Sequence, residues 1–339
     1  MLKKIKDLCQ IPAVSGGEEK VRAYLIKKIE GKADHEVDAL GNLIVYKKGK
    51  KAAKNKVMLA AHMDEIGLII NLINDEGFLK FIKVGGIDTA VLLGRSVEIG
   101  DKAVKGVIGV KPIHLLKEEE KHTFPEDGEL YIDIGAKSRE DALKHVSLGD
   151  LAVLESQPTE FGTSLLKARA LDDRAGCALL LHMIEQESQY DLTFAFTVQE
   201  EVGLRGAKTA AWALEPDYAL VVEATTAADI AGVEAEKEVC SLGKGAVVSF
   251  MDRATVYDRE MYKKAFELAE KHGIKIQPKA AVAGGNDAGA IHSAGGGAKT
   301  LAISLPCRYL HSASSTIDKN DLEEVYKLIV KLGEYYAND

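Results

Sequence analysis

The chain has 339 residues, a formal net charge of -8, 28% charged and 46% hydrophobic residues, an ordinary globular balance. That length exceeds what a single core usually serves, so one large domain or two are expected. An acidic excess with no long basic run argues against nucleic acid as the main partner, and no apolar stretch reaches the roughly 20 residues of a membrane helix.

The first residues, Met1 to Lys6, are basic but have no apolar core or cleavage site behind them. They read as the opening turns of an amphipathic helix and not as a signal peptide. Four scattered cysteines, Cys9, Cys177, Cys240 and Cys307, show no Cys-x-x-Cys spacing. Reduced, mostly buried thiols in a cytoplasmic protein are therefore expected.

Ser15 precedes an acidic first turn, after which Val21, Leu25 and Ile29 recur on one helical face. A short strand at 43–46 gives way to a lysine-rich stretch, 47–56, read as a solvated hairpin connection. Residues 57–61 run apolar without alternation, as a strand covered on both faces does, and His62, Met63, Asp64 and Glu65 follow.

From about residue 70 to 157 short apolar runs, such as 79–84 and 107–110, alternate with glycines. Helical periodicity is nearly absent there until Asp141, which predicts a small all-β, barrel-like module inserted into an α/β domain. The α/β pattern resumes after Gly162 with a helix at 173–187 and a buried strand at 193–198 that runs into Glu200 and Glu201. A helix from Gly206, a strand at 218–222 ending at Glu223, and a helix at 259–272 stopped by Gly273 come next. A strand at 300–305 leads to Arg308 and His311, and a last helix is expected from Asn320 with Glu323 as its capping-box partner.

Several potential metal ligands thus share one address, the carboxyl ends of buried strands: His62, Asp64, Glu200, Glu201, Glu223 and His311. In open α/β sheets that rim is where ligands bind. Asp172 and Asp173 add acids at a loop-to-helix start. One histidine after a strand is more often structural, but two with several carboxylates need a cation, because unpaired buried charge is costly. Imidazole with carboxylate, and no thiolate, suits zinc, cobalt or manganese. Leaving an extended strand, Glu200 and Glu201 are expected to point in opposite directions, one toward a metal and one toward a reacting water. A carboxylate shared by two ions, a water between them and a free carboxylate as base would make a hydrolase.

The blocks Ala61-His62-Met63-Asp64-Glu65-Ile66-Gly67, Ala170-Leu171-Asp172-Asp173-Arg174-Ala175-Gly176, Val198-Gln199-Glu200-Glu201-Val202-Gly203 and Arg308-Tyr309-Leu310-His311-Ser312 resemble the signatures of the di-zinc aminopeptidases of the tetrahedral (TET) and glutamyl aminopeptidase group. The resemblance runs in order along essentially the whole chain, and four blocks in order are a specific signal. It implies an α/β fold: a three-layer αβα catalytic domain around a mixed central sheet (1–68 and 163–339), with an inserted β-barrel-like dimerisation domain at 69–162. It further implies that Asp172 bridges two divalent ions, with zinc ahead of cobalt or manganese. His62 and Glu223 would complete one ion, and Glu201 and His311 the other. Glu200 would be the general base, and Asp64 would orient His62 through its second ring nitrogen. The position of Glu223 is commonly Asp in this group. Short peptides are the implied substrates, cleaved from the amino terminus, and subunits would pair and build a twelve-membered tetrahedral shell. A related di-metal hydrolase of acylated amino acids or of the other peptide end is the alternative. Glycoside hydrolysis is suggested only by endoglucanase labels on some relatives.

Weaker features have plainer readings. His114 could approach a neighbouring subunit's site or serve the surface. Gly284 to Gly289 lacks the lysine and serine of a phosphate loop and is read as a tight loop lining the substrate pocket, with Asp287 near the substrate amine. Arg308 could steer side-chain preference or form a structural ion pair. His292 and Trp212 are read as packing and core.

Overall fold

The structure is a computed structural model that describes residues 1–339, apart from the side chain of Glu120. An eight-stranded mixed sheet runs, in spatial order, Asp34–Val37, Leu43–Lys47, Leu192–Thr197, Val57–His62, Tyr218–Thr226, Lys299–Cys307, Ala246–Val248 and Ile276–Pro278. Its middle four strands are parallel. Antiparallel pairings bring in Leu43–Lys47 on one side and Ala246–Val248 on the other. Every residue of Val57–His62 is buried, because layers cover both faces of the sheet.

The helix Leu171–Glu185 packs on Val57–His62 and Tyr218–Thr226, near the final helix, and Arg205–Leu214 packs on Leu192–Thr197. The result is a three-layer αβα arrangement. Leu171–Glu185 is buried almost all round, since smaller helices cover its outer side. The amphipathic reading of Glu19–Ile29 matches the buried stripe Val21, Leu25 and Ile29.

Several local expectations need correcting. The lysine-rich stretch after Leu43–Lys47 is no hairpin, because Leu192–Thr197 is inserted between that strand and Val57–His62. The final helix spans Lys319–Asn338 and is capped by Asp318, whose carboxylate accepts from the Asn320 amide, rather than starting at Asn320. Trp212 is 69% exposed and not core. Its helix turns a small-residue face inward, Gly206, Ala207, Ala210 and Ala211, which leaves the indole outside.

Six strands close into an antiparallel barrel in the order Gly67–Ile73, Leu79–Val84, Tyr131–Asp133, Val104–Gly109, Ser96–Ile99 and Leu151–Leu154. Closure leaves no free sheet edge. The barrel has its own apolar core, including Leu68, Ile70, Leu79, Phe81, Ile99, Ile108 and Ile132, separate from the core of the large sheet. A three-stranded sheet, Thr159–Phe161, Leu165–Ala168 and Ser315–Asp318, ties the chain leaving the barrel to the segment before the last helix. Among the described residues no helix is long and apolar enough to cross a membrane.

Candidate metal centre

Val57–His62 is flanked by Leu192–Thr197 on one side and Tyr218–Thr226 on the other, so the order of connections reverses at this strand. A crevice at the carboxyl ends of parallel strands is expected at such a reversal. His62 is the last residue of its strand and pairs with Thr197. Glu223 lies inside its strand, and not at the end as expected, because Lys299–Cys307 keeps pairing as far as Thr226. Val57–His62 stops pairing with that strand at Ala60 and Val221, which leaves room beside Glu223.

His62 Nδ1 lies 3.1 Å from the Asp64 carbonyl oxygen and 3.4 Å from Asp64 Oδ1. Both neighbours accept only, so Nδ1 carries a proton, which leaves Nε2 as the atom an ion could take. That Nε2 is 3.1 Å from Asp172 Oδ1 and 3.4 Å from Glu223 Oε1. His311 mirrors the arrangement. Its Nδ1 is 2.8 Å from the carbonyl of Gly86, on the loop leaving a barrel strand, and its Nε2 is 3.4 Å from Asp172 Oδ2 and 3.3 Å from Glu201 Oε1. One carboxylate, Asp172, therefore gives one oxygen to each imidazole.

The adjacent aspartates divide their work because the start of Leu171–Glu185 departs from helical geometry at both positions. Asp172 faces the cavity. Asp173 is fully buried and accepts the Gly176 amide at 2.9 Å, as a helix cap does. A Cβ at position 176 would collide with the Asp173 carboxylate, so the close approach requires glycine there.

Glu200 and Glu201 do not diverge as two residues of a strand. The strand ends at Thr197, Gln199 has φ of 55°, and the chain then turns, with the amides of Gly203 and Leu204 bonded to the Glu200 carbonyl. Both carboxylates consequently reach the same crevice as His62, with ligand atoms within 4.8 Å of one another. Glu200 Oε2 stands off, 4.0 Å from His62 Nε2. The turn is held from behind by Asp64, fully buried, whose oxygens accept the Glu200 and Glu201 amides at 3.0 and 3.2 Å and the Ser15 hydroxyl at 2.7 Å. Glu18 also accepts the Gln199 amide, at 3.1 Å. Neither support from Ser15 and Glu18 carries a sequence signal beyond an acidic helix start.

The electrostatics of the crevice call for positive charge. Burial pushes the Glu200, Glu201 and Glu223 carboxyls up. Burial opposes charge on His62 as well, yet Glu223, Asp172 and Asp64 hold its imidazole well above the usual range. For His311 burial is likewise overcome, by Asp172 and Glu201, and its value rises to about 11. Asp172 is driven the other way: burial would raise it, but His311 and His62 hold it below the ordinary carboxylate range. Glu201 Oε1 is buried without a hydrogen bond although His311 Nε2 is 3.3 Å away. The acids thus draw positive charge onto both imidazoles, a charge that a divalent cation would supply in place of the imidazole protons, and a nitrogen and oxygen donor set suits one. All the groups of potential ligands among the described residues fall here.

A cavity of about 710 Å³ opens onto these groups. Its far wall carries Arg253, Lys279 and the Gly284 to Asn286 loop. Lys279 is 4% exposed and donates to the Ala283 carbonyl at 2.7 Å, and burial lowers its ammonium below the usual value. No motif or spacing marked Lys279 or Arg253 in advance. Asp287 does not line the cavity: it is buried behind Thr197, whose hydroxyl donates to it, and burial raises it to about 6. Arg308 is engaged with Asp229 at 2.7 and 2.8 Å. His292 bonds the Ala288 carbonyl at 2.8 Å at the end of a short helix, and His114 is exposed on a barrel turn. A depression of about 730 Å³ at the opposite, amino-terminal rim is lined by Tyr218, Asp258 and Lys299, away from the candidate ligands.

A family profile described as M42 glutamyl aminopeptidase matches residues 41–328. A protein of Acetivibrio thermocellus is 40% identical over 334 residues, covering 98% of each chain. Among solved structures, the TET1 peptidase of Pyrococcus horikoshii, described as assembling into a tetrahedron or a large octahedral shell, is 41% identical with a TM-score of 0.87 over 98% of each chain. An aminopeptidase from the archaeon Desulfurococcus kamchatkensis is 35% identical with a TM-score of 0.93, over 98% of this chain and 94% of its own.

Proposed function

The chain belongs to the M42 glutamyl aminopeptidase family and is a metal-dependent aminopeptidase, and on that premise we propose how its residues divide the work. Asp172 would be shared by two divalent ions, zinc in the first instance, with His62 and Glu223 holding one and Glu201 and His311 the other. The observation that carries this reading is the Asp172 carboxylate, whose two oxygens face two different imidazoles at 3.1 and 3.4 Å.

Bound ions of this kind acidify a water and polarise the substrate carbonyl. Glu200, which stands off from His62 at 4.0 Å while reaching the same crevice, would take the water's proton and return it to the departing amine. Asp64 keeps His62 in one tautomer and holds the amides of the Glu200–Glu201 turn, so it positions base and ligand together. Lys279 and Arg253 face the ligands across the cavity, and a buried ammonium without a carboxylate partner favours an acidic side chain on the amino-terminal residue. Short peptides fit the cavity volume.

Residues 69–162 serve as a dimerisation domain in this reading. Support comes from the exposed apolar residues Leu72, Ile82 and Val107 on barrel strands, and from the shells described for the Pyrococcus peptidase. Light scattering should find twelve subunits.

The ligand assignment is tested with cobalt titration of His311→Ala. The variant should keep one ion per chain and lose the second; retention of two ions at wild-type affinity would remove His311 from the set.

A further inference from the structure

Glu65 directly follows Asp64, yet it does not line the large cavity. Its carboxylate is 4% exposed and meets two buried guanidinium groups: Arg169 Nη1 at 3.3 and 3.4 Å and Arg174 Nη2 at 3.3 Å. It also accepts the Ala13 amide at 3.1 Å. Arg174, fully buried, uses its other nitrogen on the carbonyls of Leu8 and Ile11 at 2.9 and 3.0 Å.

The two arginines bracket Asp172 in the chain, three residues before it and two after. Between them the backbone is irregular, with φ of 53° at Ala170 and non-helical angles at Asp172 and Asp173. Regular helix geometry therefore does not determine where Asp172 sits. Glu65 does have a close relation to His62, since it follows by three residues the histidine that ends a fully buried strand, and its backbone bridges Val14. A single carboxylate thus ties the Asp172 segment to the His62 turn. A second observation points the same way. A cavity of about 10 Å³ is lined by Glu65 and Arg169 together with Asp172, Glu201 and His311, so the cluster and the candidate ligands border one small space.

We propose that Glu65, clamped by Arg169 and Arg174, is a positioning latch that sets the spacing between His62 and Asp172 and thereby the affinity for the divalent ions. The latch rests on the ligand assignment above. Groups hydrogen-bonded to a metal ligand typically change metal affinity ten- to a hundredfold when lost, and the latch acts on the same ligands through the backbone segments it joins. Glu65→Gln is a poor single test, because it strands two buried guanidinium groups. Arg169→Met leaves Glu65 and Arg174 paired, and Arg169→Lys keeps the charge while losing the fork.

The full-length protein and both variants are titrated with cobalt, following the visible absorption of the ion and the heat of binding. Arg169→Met should bind cobalt about ten- to a hundredfold more weakly, with a changed visible spectrum. At saturating cobalt, kcat on a peptide anilide should fall while KM holds, and Arg169→Lys should lie between Arg169→Met and wild type. Wild-type cobalt affinity and spectrum in Arg169→Met would overturn the latch, whatever happened to the melting temperature. Failure of both variants to fold would also count against it, since the cluster would then be a folding element. A wild-type chain that took up no cobalt would instead bring down the ligand assignment, and the latch with it.

Discussion

The barrel and the carboxyl rim of the central sheet use buried space differently. Inside the barrel the buried residues are apolar, among them Leu68, Ile70, Ile108 and Ile132, and charged groups such as Lys105, Glu98 and Glu155 pair on the outside. At the rim, His62, Asp64, Glu65, Asp173, Arg174 and Glu223 are all buried. Five of the seven non-glycine residues with positive φ, Ala170, Gln199, Leu204, Tyr309 and His311, also lie on the segments that form it. Each such backbone costs on the order of 1–3 kcal/mol and persists only where its surroundings hold it. The barrel buries apolar groups in its interior, whereas the rim gives stability up to keep acids and imidazoles close together.

The sharpest way to break this contrast is Glu200→Gln. Turnover should fall by roughly a thousandfold, the range of a lost general base. Metal analysis should still find both ions, and the melting temperature of the metal-free protein should rise, because a buried carboxylate with raised proton affinity has been neutralised. Activity near wild type would refute the assignment of the base. Next in size, Ile132→Ala inside the barrel should cost about 2–5 kcal/mol of stability in denaturant unfolding. The folded fraction should keep its kcat, since Ile132 belongs to the barrel core and does not line the large cavity.

Lys279→Met comes third. We expect kcat/KM for peptides with an amino-terminal glutamate to fall by about tenfold or more relative to leucine, as a charge-assisted contact is lost. An unchanged ratio would show that the far wall does not read the side chain. The smallest effect is expected from Lys105→Ala on the barrel surface. Its ion pairs with Glu98 and Glu155 are exposed, so stability should move by less than about 0.5 kcal/mol. A larger loss would mean that this surface is buried in an assembly.

Much of the architecture was legible because burial imposes periodicity. The unbroken apolar run at 57–61, the glycine-punctuated strands between 70 and 157, and the stripe Val21, Leu25 and Ile29 each announce their surroundings. Local pairing was less legible. The lysine-rich stretch looked like a hairpin because the strand that separates its two ends, Leu192–Thr197, lies far along the chain. Trp212 looked like core because an indole usually is, and only the small-residue face of its helix shows otherwise.

The candidate site divides in the same way. Acids and imidazoles that interrupt or follow apolar runs, His62, Glu200, Glu201, Glu223 and His311, stand out in a one-dimensional reading because a charge beside a buried strand needs a reason. The sequence by itself determined which side chains could meet and what kind of ion would suit them. Tertiary structure alone decided how they meet: how an irregular helix start sets Asp172 between the histidines, that the two glutamates converge through a turn at Gln199, and that Ser15, Glu18, Gly86, Arg169 and Lys279 complete the surroundings. These contacts join residues separated by tens to hundreds of positions through single hydrogen bonds and charges, and no periodicity along the chain records such a contact.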